Sequence, residues 1–242
     1  PCIRHIYPGN NVNFDKQTPS GNEEIEAGTP VSLPSIRDPY RALRYRDFRL
    51  LFLGTFIASV GEQMVNVAIG WELYNRTGSS LALGFVGLVQ VIPTLLLSLP
   101  SGYLADRFDR KRIVLITLLI IMLSSLGLTV LSFLQGPVLL IYACLHLLGI
   151  GVAFNNPASS ALLPQTVPES AYTSAATWSS SSWQLASVLG PAVGGLVIAL
   201  SGSATPVYAL NVVAVLVFTC LIAILHVLPR EVSTTPPSTG LT

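Results

Sequence analysis

The stretch IVLITLLIIMLSSLGLTVLSFLQGPVLLIYACLHLLGIGVAFNNPASSALLPQTVP, residues 113–168, contains no Asp, Glu, Lys or Arg. Residues 170–229 are equally free of them. Each run is more than twice the roughly 20 apolar residues that one helix needs to cross a bilayer. A helix packed on a soluble core keeps a polar face, and these runs have none of the required length. They belong in hydrocarbon, folded back on themselves as helices.

The rest of the chain agrees. Of its 242 residues, 51% are hydrophobic and 10% charged, against about 25% charged in ordinary soluble domains. Six apolar segments emerge, at about 50–72, 79–100, 112–134, 138–157, 172–200 and 205–228. Breakers or polar residues separate them: NRTGSS (75–80), the basic loop 101–112, QGP (135–137), PQTVPES (164–170) and SGSATP (201–206). Residues 1–38, rich in Pro, Gly, Asn and Glu, have the composition of a disordered tail, and 230–242 that of the start of a polar linker. Between tail and first span, 39–49 mixes Arg41, Arg44, Arg46 and Arg49 with Tyr40, Tyr45 and Phe48. That mixture fits an amphipathic segment on an anionic membrane surface or a solvated basic linker. The six-helix domain occupies 50–229.

The first residue is Pro, which suggests a reading frame that begins upstream, and no apolar signal segment opens the chain. Net charge is +1, so nothing points to nucleic acid. The three cysteines, Cys2, Cys144 and Cys220, are expected to form neither a disulfide framework nor a metal site, and no cofactor is called for. No G-x-S-x-G, phosphate loop or H-E-x-x-H is present, so enzymatic chemistry is not expected, and pumping would draw on an ion gradient. Basic residues set the orientation. With a cytoplasmic N-terminus, the inside carries Arg37, Arg41, Arg44, Arg46, Arg49, Arg107, Arg110, Lys111, Arg112 and Arg230, and the outside only Arg76.

The loop GYLADRFDRKRIVL (102–115) resembles the signature of the major facilitator superfamily, roughly G-x-L-a-D-R-x-G-R-[RK]. Gly102, Leu104, Asp106, Arg107, Arg110 and Lys111 match, and Asp109 replaces the usual Gly. An acidic residue there followed by basic ones is similar to the enterobactin-exporter-like branch. GPAVGG (190–195) resembles the G-P-x-x-G-G antiporter motif of helix 5 in that superfamily, and FNNPASSALLPQTVP (154–168) is also similar to that branch. The resemblance covers about 40–229. It departs at Leu145 and Ser187, where the family motifs carry Arg, so no mechanism using those arginines transfers to this chain.

The resemblance implies an all-α fold: a six-transmembrane-helix bundle, the N-terminal half of the major facilitator fold, with two inverted three-helix repeats. It implies a secondary active transporter in the cell membrane, exporting a small amphiphilic compound such as a siderophore or drug against a proton gradient. The partners implied are the lipid bilayer, a small-molecule substrate and a C-terminal six-helix half. An importer or lysophospholipid flippase of the same superfamily, or a self-contained six-span scaffold or sensor, remains open. The resemblance further implies that Gly102, Asp106, Arg107, Arg110 and Lys111 latch the two halves together. A plain positive-inside anchor is the simpler alternative, with Asp106 capping the third helix. Gly190, Pro191, Gly194 and Gly195 would shape the fifth helix, where Ala186, Gly190 and Gly194 form a small-residue packing face.

Glu62 lies mid-span in the first helix, where a charge costs about 2.5–3.5 kcal/mol or more. Ser59, Gln63 and Asn66 share its face, so the stripe should line a cavity. Glu62 either binds the coupling proton or a cationic substrate group, or is a neutral acid bonded to a neighbouring helix. Gln90, His146, Trp183 and Gln184 are further polar candidates at membrane depth, and Trp178 with Trp183 is a candidate aromatic wall. Asn155 and Asn156, just before Pro157, are expected to serve the end of the fourth helix. Glu72 and Arg76 are expected to be solvated near the outer interface.

Overall fold

A computed structural model describes residues 40–225, without the side chains of Ser98, Leu99, Ala105 and Asp106. The polar tail 1–38 and the linker from 230, with Arg37 and Arg230, fall outside the described residues. Every regular element among those described is helical. After a 3₁₀ turn at Arg41–Arg44 come α1 (Arg46–Thr77), α2 (Ser80–Arg107), α3 (Arg110–Phe133), α4 (Val138–Leu162), a second 3₁₀ turn (Leu163–Gln165), α5 (Glu169–Ser201) and α6 (Thr205–Ile224). All six α-helices are long and apolar enough to cross a membrane.

Four helices, α1, α2, α4 and α5, outrun the apolar segments that announce them. The basic stretch before the first span becomes the 3₁₀ turn and the opening turn of α1. At about 1.5 Å per residue, the 32 residues of α1 and 33 of α5 exceed a hydrocarbon core of about 30 Å. Their ends are set by chemistry. Gly78 (φ 62°) and Gly202 (φ 66°) take the left-handed conformation that stops α1 and α5, each N–H returning to a carbonyl four residues back, Tyr74 and Ile198, at 2.8 Å. At the start of α3, Asp109, not Asp106, is the N-cap: its carboxylate accepts the Lys111 backbone N–H at 3.0 Å. Asp106 lies by its backbone in the last turn of α2.

α4 does not end before Pro157. It runs through that proline to Leu162, as spanning helices can where neighbours compensate the missing donor. Asn155 and Asn156 therefore sit inside the helix, not at its terminus.

Packing shows an internal repeat. α1 packs on α5 and α6 as α4 packs on α2 and α3, and α3 meets α6 between them. Exchanging α1–α3 for α4–α6 preserves the pattern. α1 starts at the end of the bundle rich in Arg and Lys, the basic end, and α4 starts at the opposite, distal end, so the two triplets are inverted. Small residues permit both swapped contacts. A Cβ at Gly190 of α5 would overlap that of Gln63 on α1 and stand 2.9 Å from the Val60 oxygen. A Cβ at Gly149 of α4 would stand 2.9 Å from Pro93 Cγ and 3.0 Å from the Gln90 oxygen on α2. Ala186, Gly190 and Gly194 are buried, whereas a Cβ at Gly195 would meet nothing within 4 Å.

The core runs along α1, α3, α4 and α6. The outside is apolar: Leu96, Leu139 and Leu200 are 72%, 78% and 80% exposed, a surface suited to lipid rather than water.

Candidate functional site: a polar groove between α1 and α4

α1 and α4, equivalent members of the two repeats, face each other across the middle of the bundle. Between them lies a cavity of about 30 Å³, room for one water or two. Its polar lining is Glu62, Asn155, Asn156 and Asn211, set among apolar side chains such as Val65, Leu118 and Val215. Glu62 and Asn156 are exposed at its mouth, while Asn211 is buried at its back. No described group bonds the Glu62 carboxyl.

The other members are braced. Thr117 Oγ1 of α3 donates to Asn155 Oδ1 at 3.1 Å. Asn211 Nδ2 of α6 donates to Ser125 Oγ at 2.8 Å, and its Oδ1 lies against Gly61 with no donor. A side chain at 61 would collide with that oxygen, so Gly61 lets α6 bring an amide up to the groove. On the same side of α1, Asn66 Nδ2 donates to Gln63 Oε1 at 3.2 Å, and Asn66 is exposed. Ser59, Glu62, Gln63 and Asn66 form one polar strip along the exposed edge of α1, continuous with the cavity.

At the basic end, two cations of the first turn of α3 reach into their own bundle. Arg110 Nη1 donates to the Ala161 carbonyl near the end of α4 at 2.7 Å. Lys111 Nζ donates to Ala223 and Leu225 at the end of α6, at 2.9 and 2.6 Å. Each places positive charge on the negative end of a helix. Arg107 is exposed and bonds the Tyr103 hydroxyl one turn back. A Cβ at Gly102 would meet nothing within 4 Å. The Asp106 side chain lies outside the described residues.

A family model described as transmembrane secretion effector matches residues 37–240. The chain belongs to that family of the major facilitator superfamily.

Among its relatives, macrolide efflux protein A of Streptococcus pyogenes is 28% identical over 189 residues, 76% of this chain and 46% of that protein. The multidrug efflux pump Tap of Mycolicibacterium fortuitum is 28% identical over 200 residues, covering 80% and 48%. The staphyloferrin A transporter of Staphylococcus aureus is 32% identical over 155 residues, covering 62% and 37%. The chain thus spans about half the length or less of the curated relatives it matches. These relatives are transporters by name, and the family is one of transporters rather than enzymes.

Within this member of the family, Glu62 alone of the polar candidates lines the cavity; Asn66 is exposed beside it on α1, and Gln63 lies on the side of α1 that meets Gly190 of α5. Gln90 is half-buried where α2 meets α4. His146 is exposed on α4 but stands about 200° around the helix from the cavity residue Leu148. Trp183 and Gln184 are exposed on α5. The two tryptophans do not form one wall: Trp178 packs edge-on against Phe52 of α1 at 6.0 Å, and five residues on a helix turn Trp183 about 140° away from it.

Two expectations change. Asn155 and Asn156, read as terminal residues, line the cavity. Glu72 and Arg76, read as solvated, are a buried ion pair, their side chains 5% and 13% exposed. Asn211 was missed in the sequence, although a single amide in the apolar run VYALNVV is the signal that finds it.

Proposed function

We propose that this chain is the first half of a proton-coupled exporter of small amphiphilic compounds, working by alternating access with a second six-helix half across the groove. The observation that carries the proposal is the exposed, unbonded Glu62 carboxyl at the mouth of a polar cavity, on the edge shared with Asn66 and Gln63. In lipid such a group is costly; in a water-filled pathway it exchanges protons at little cost. The names of the relatives, for macrolides, a siderophore and several drugs, support amphiphilic cargo and outward movement. The excess of Arg at the basic end supports a cytoplasmic N-terminus in the cell membrane.

Under this proposal the α2–α3 loop latches the halves when the pathway faces outward. Arg110 and Lys111 hold the exits of α4 and α6, which leaves Arg107, Gly102 and Asp106 as the residues that would meet the second half. Gly190 and Gly194 keep α5 tight on α1, so the pathway does not leak between them.

The test is flux in proteoliposomes holding the full-length protein, with an amphiphilic fluorescent dye as probe and imposed pH gradients. Flux driven by the gradient, and its loss in Glu62→Gln with exchange at equal pH retained, supports the proposal. Undiminished gradient-driven flux in Glu62→Gln removes the proton role.

A further inference from the structure

The cavity between α1 and α4 presents more than an acid. Asn155 stands on its α4 wall and Glu62 on its α1 wall, and the two ends of the Asn155 amide have different surroundings. Two hydroxyls converge on Oδ1. Thr117 Oγ1 of α3 lies 3.1 Å away and shares its proton with the Val114 carbonyl at 2.9 Å. Ser159 Oγ, one turn further along α4, lies at 3.5 Å. With its oxygen taken by Thr117, the amide leaves its two N–H donors on Nδ2 for something else. Nδ2 has no partner among the described residues. Asn155 is partly exposed, and Nδ2 is not among the buried atoms left unsatisfied, so a water-sized group reaches it.

Across the cavity the Glu62 carboxyl is exposed and likewise unbonded. A space of about 30 Å³ holds a group the size of a water. Whatever enters meets N–H donors on one wall and a carboxyl on the other. An ammonium satisfies an ionised Glu62 and leaves Asn155 bare. An ether or carbonyl oxygen satisfies Asn155 and leaves the carboxylate bare. A hydroxyl serves both, as water does: its oxygen accepts from Nδ2 while its O–H donates to the carboxylate. A group that cannot repeat the bonds of the water it displaces loses affinity.

We infer that Asn155 is a specificity-determining residue of the pathway, braced by Thr117 with its N–H groups toward the cavity, and that the site takes an alcohol hydroxyl of an amphiphilic cargo. The hydroxyl sits between Asn155 and Glu62, and the body of the cargo stays outside in the groove. As a cargo site it rests on the export proposal; as a hydroxyl-binding site it stands by itself.

A site built to hydrogen-bond a hydroxyl rejects the analogue that lacks it, because its own polar groups are then left unpaired. Three probes with one apolar body separate the possibilities: 1-pyrenebutanol, its methyl ether and 1-butylpyrene. The full-length protein is placed in nanodiscs, with Cys2, Cys144, Cys220 and any cysteines elsewhere in the protein replaced by Ser. Asn66→Cys, one turn from Glu62, is then labelled with a membrane-impermeant maleimide in the presence of each probe. The alcohol should halve the labelling rate at a concentration at least about tenfold below either of the others, and that preference should fall below about twofold in Asn155→Leu. Thr117→Val, which keeps the amide and removes its brace, should also lower the preference, and it decides if Asn155→Leu does not fold, as judged by thermal melting. Equal protection by the three probes, no protection by 1-pyrenebutanol, or an unchanged preference in the folded variant overturns the inference and leaves the flux test of export untouched. Failure of gradient-driven flux with the preference intact removes the export proposal and keeps the hydroxyl site.

Discussion

Lys111 donates to the Leu225 carbonyl at 2.6 Å, a contact between the first turn of α3 and the residue that caps the end of α6, 114 residues later. It places a cation where the helix dipole is negative and where the chain leaves the bundle. Removing the charge in Lys111→Met should cost about 1–2 kcal/mol and fray the end of α6. Hydrogen exchange in the segment 218–225 should accelerate several-fold in Lys111→Met and stay near wild type in Lys111→Arg. Equal exchange in all three proteins would show that the contact does not hold that end.

The close approach of α5 to α1 depends on Gly190 rather than on glycine content in general. Gly190→Ala should lower stability by about 1–3 kcal/mol through overpacking, seen as a drop of several degrees in melting temperature in detergent. Gly195→Ala, with open space around it, should melt within about 0.5 kcal/mol of wild type. The reverse order would contradict the packing.

Gly102 separates folding from latching. Its surroundings within the bundle are empty, so Gly102→Leu should insert, express and melt like wild type. Loss of transport in that variant, and in Asp106→Asn, is then expected to arise at the contact with the second half. Wild-type flux in both would remove the latch.

Asn211 should behave as a structural member of the groove. Asn211→Ala breaks its bond to Ser125 and opens space behind Gly61, at a cost of about 1–3 kcal/mol. Thermal melting checks it, and Ser125→Ala in the same background should add little, because the two changes remove one interaction.

Much of this architecture is legible in the amino acids because hydrocarbon is a demanding solvent. The charge-free runs 113–168 and 170–229 permit little besides helices, and the basic loop marks a bundle end. The missed features are those whose partners are far away in the chain. Pro157 lacks a donor, so Asn155–Asn156–Pro157 reads as a stop, yet neighbouring helices carry α4 through it. Glu72 and Arg76 show the i,i+4 spacing of an ion pair, but spacing does not reveal depth; the α3–α4 turn and α6 bury them. The Lys111 contact joins residues too distant in sequence for any local pattern. The strip Ser59, Glu62, Gln63 and Asn66 was visible because helical periodicity alone puts polar residues on one side.

Whether water reaches Glu62 and Asn66 is the point on which the proposed pathway stands, and cysteine accessibility measures it. In the full-length protein with Cys2, Cys144, Cys220 and any cysteines elsewhere in the protein replaced by Ser, Glu62→Cys and Asn66→Cys should react readily with a membrane-impermeant maleimide, and Leu123→Cys, on the exposed apolar side of α3, should not. Equal protection of all three positions would place the strip in lipid or in packed protein and contradict the account.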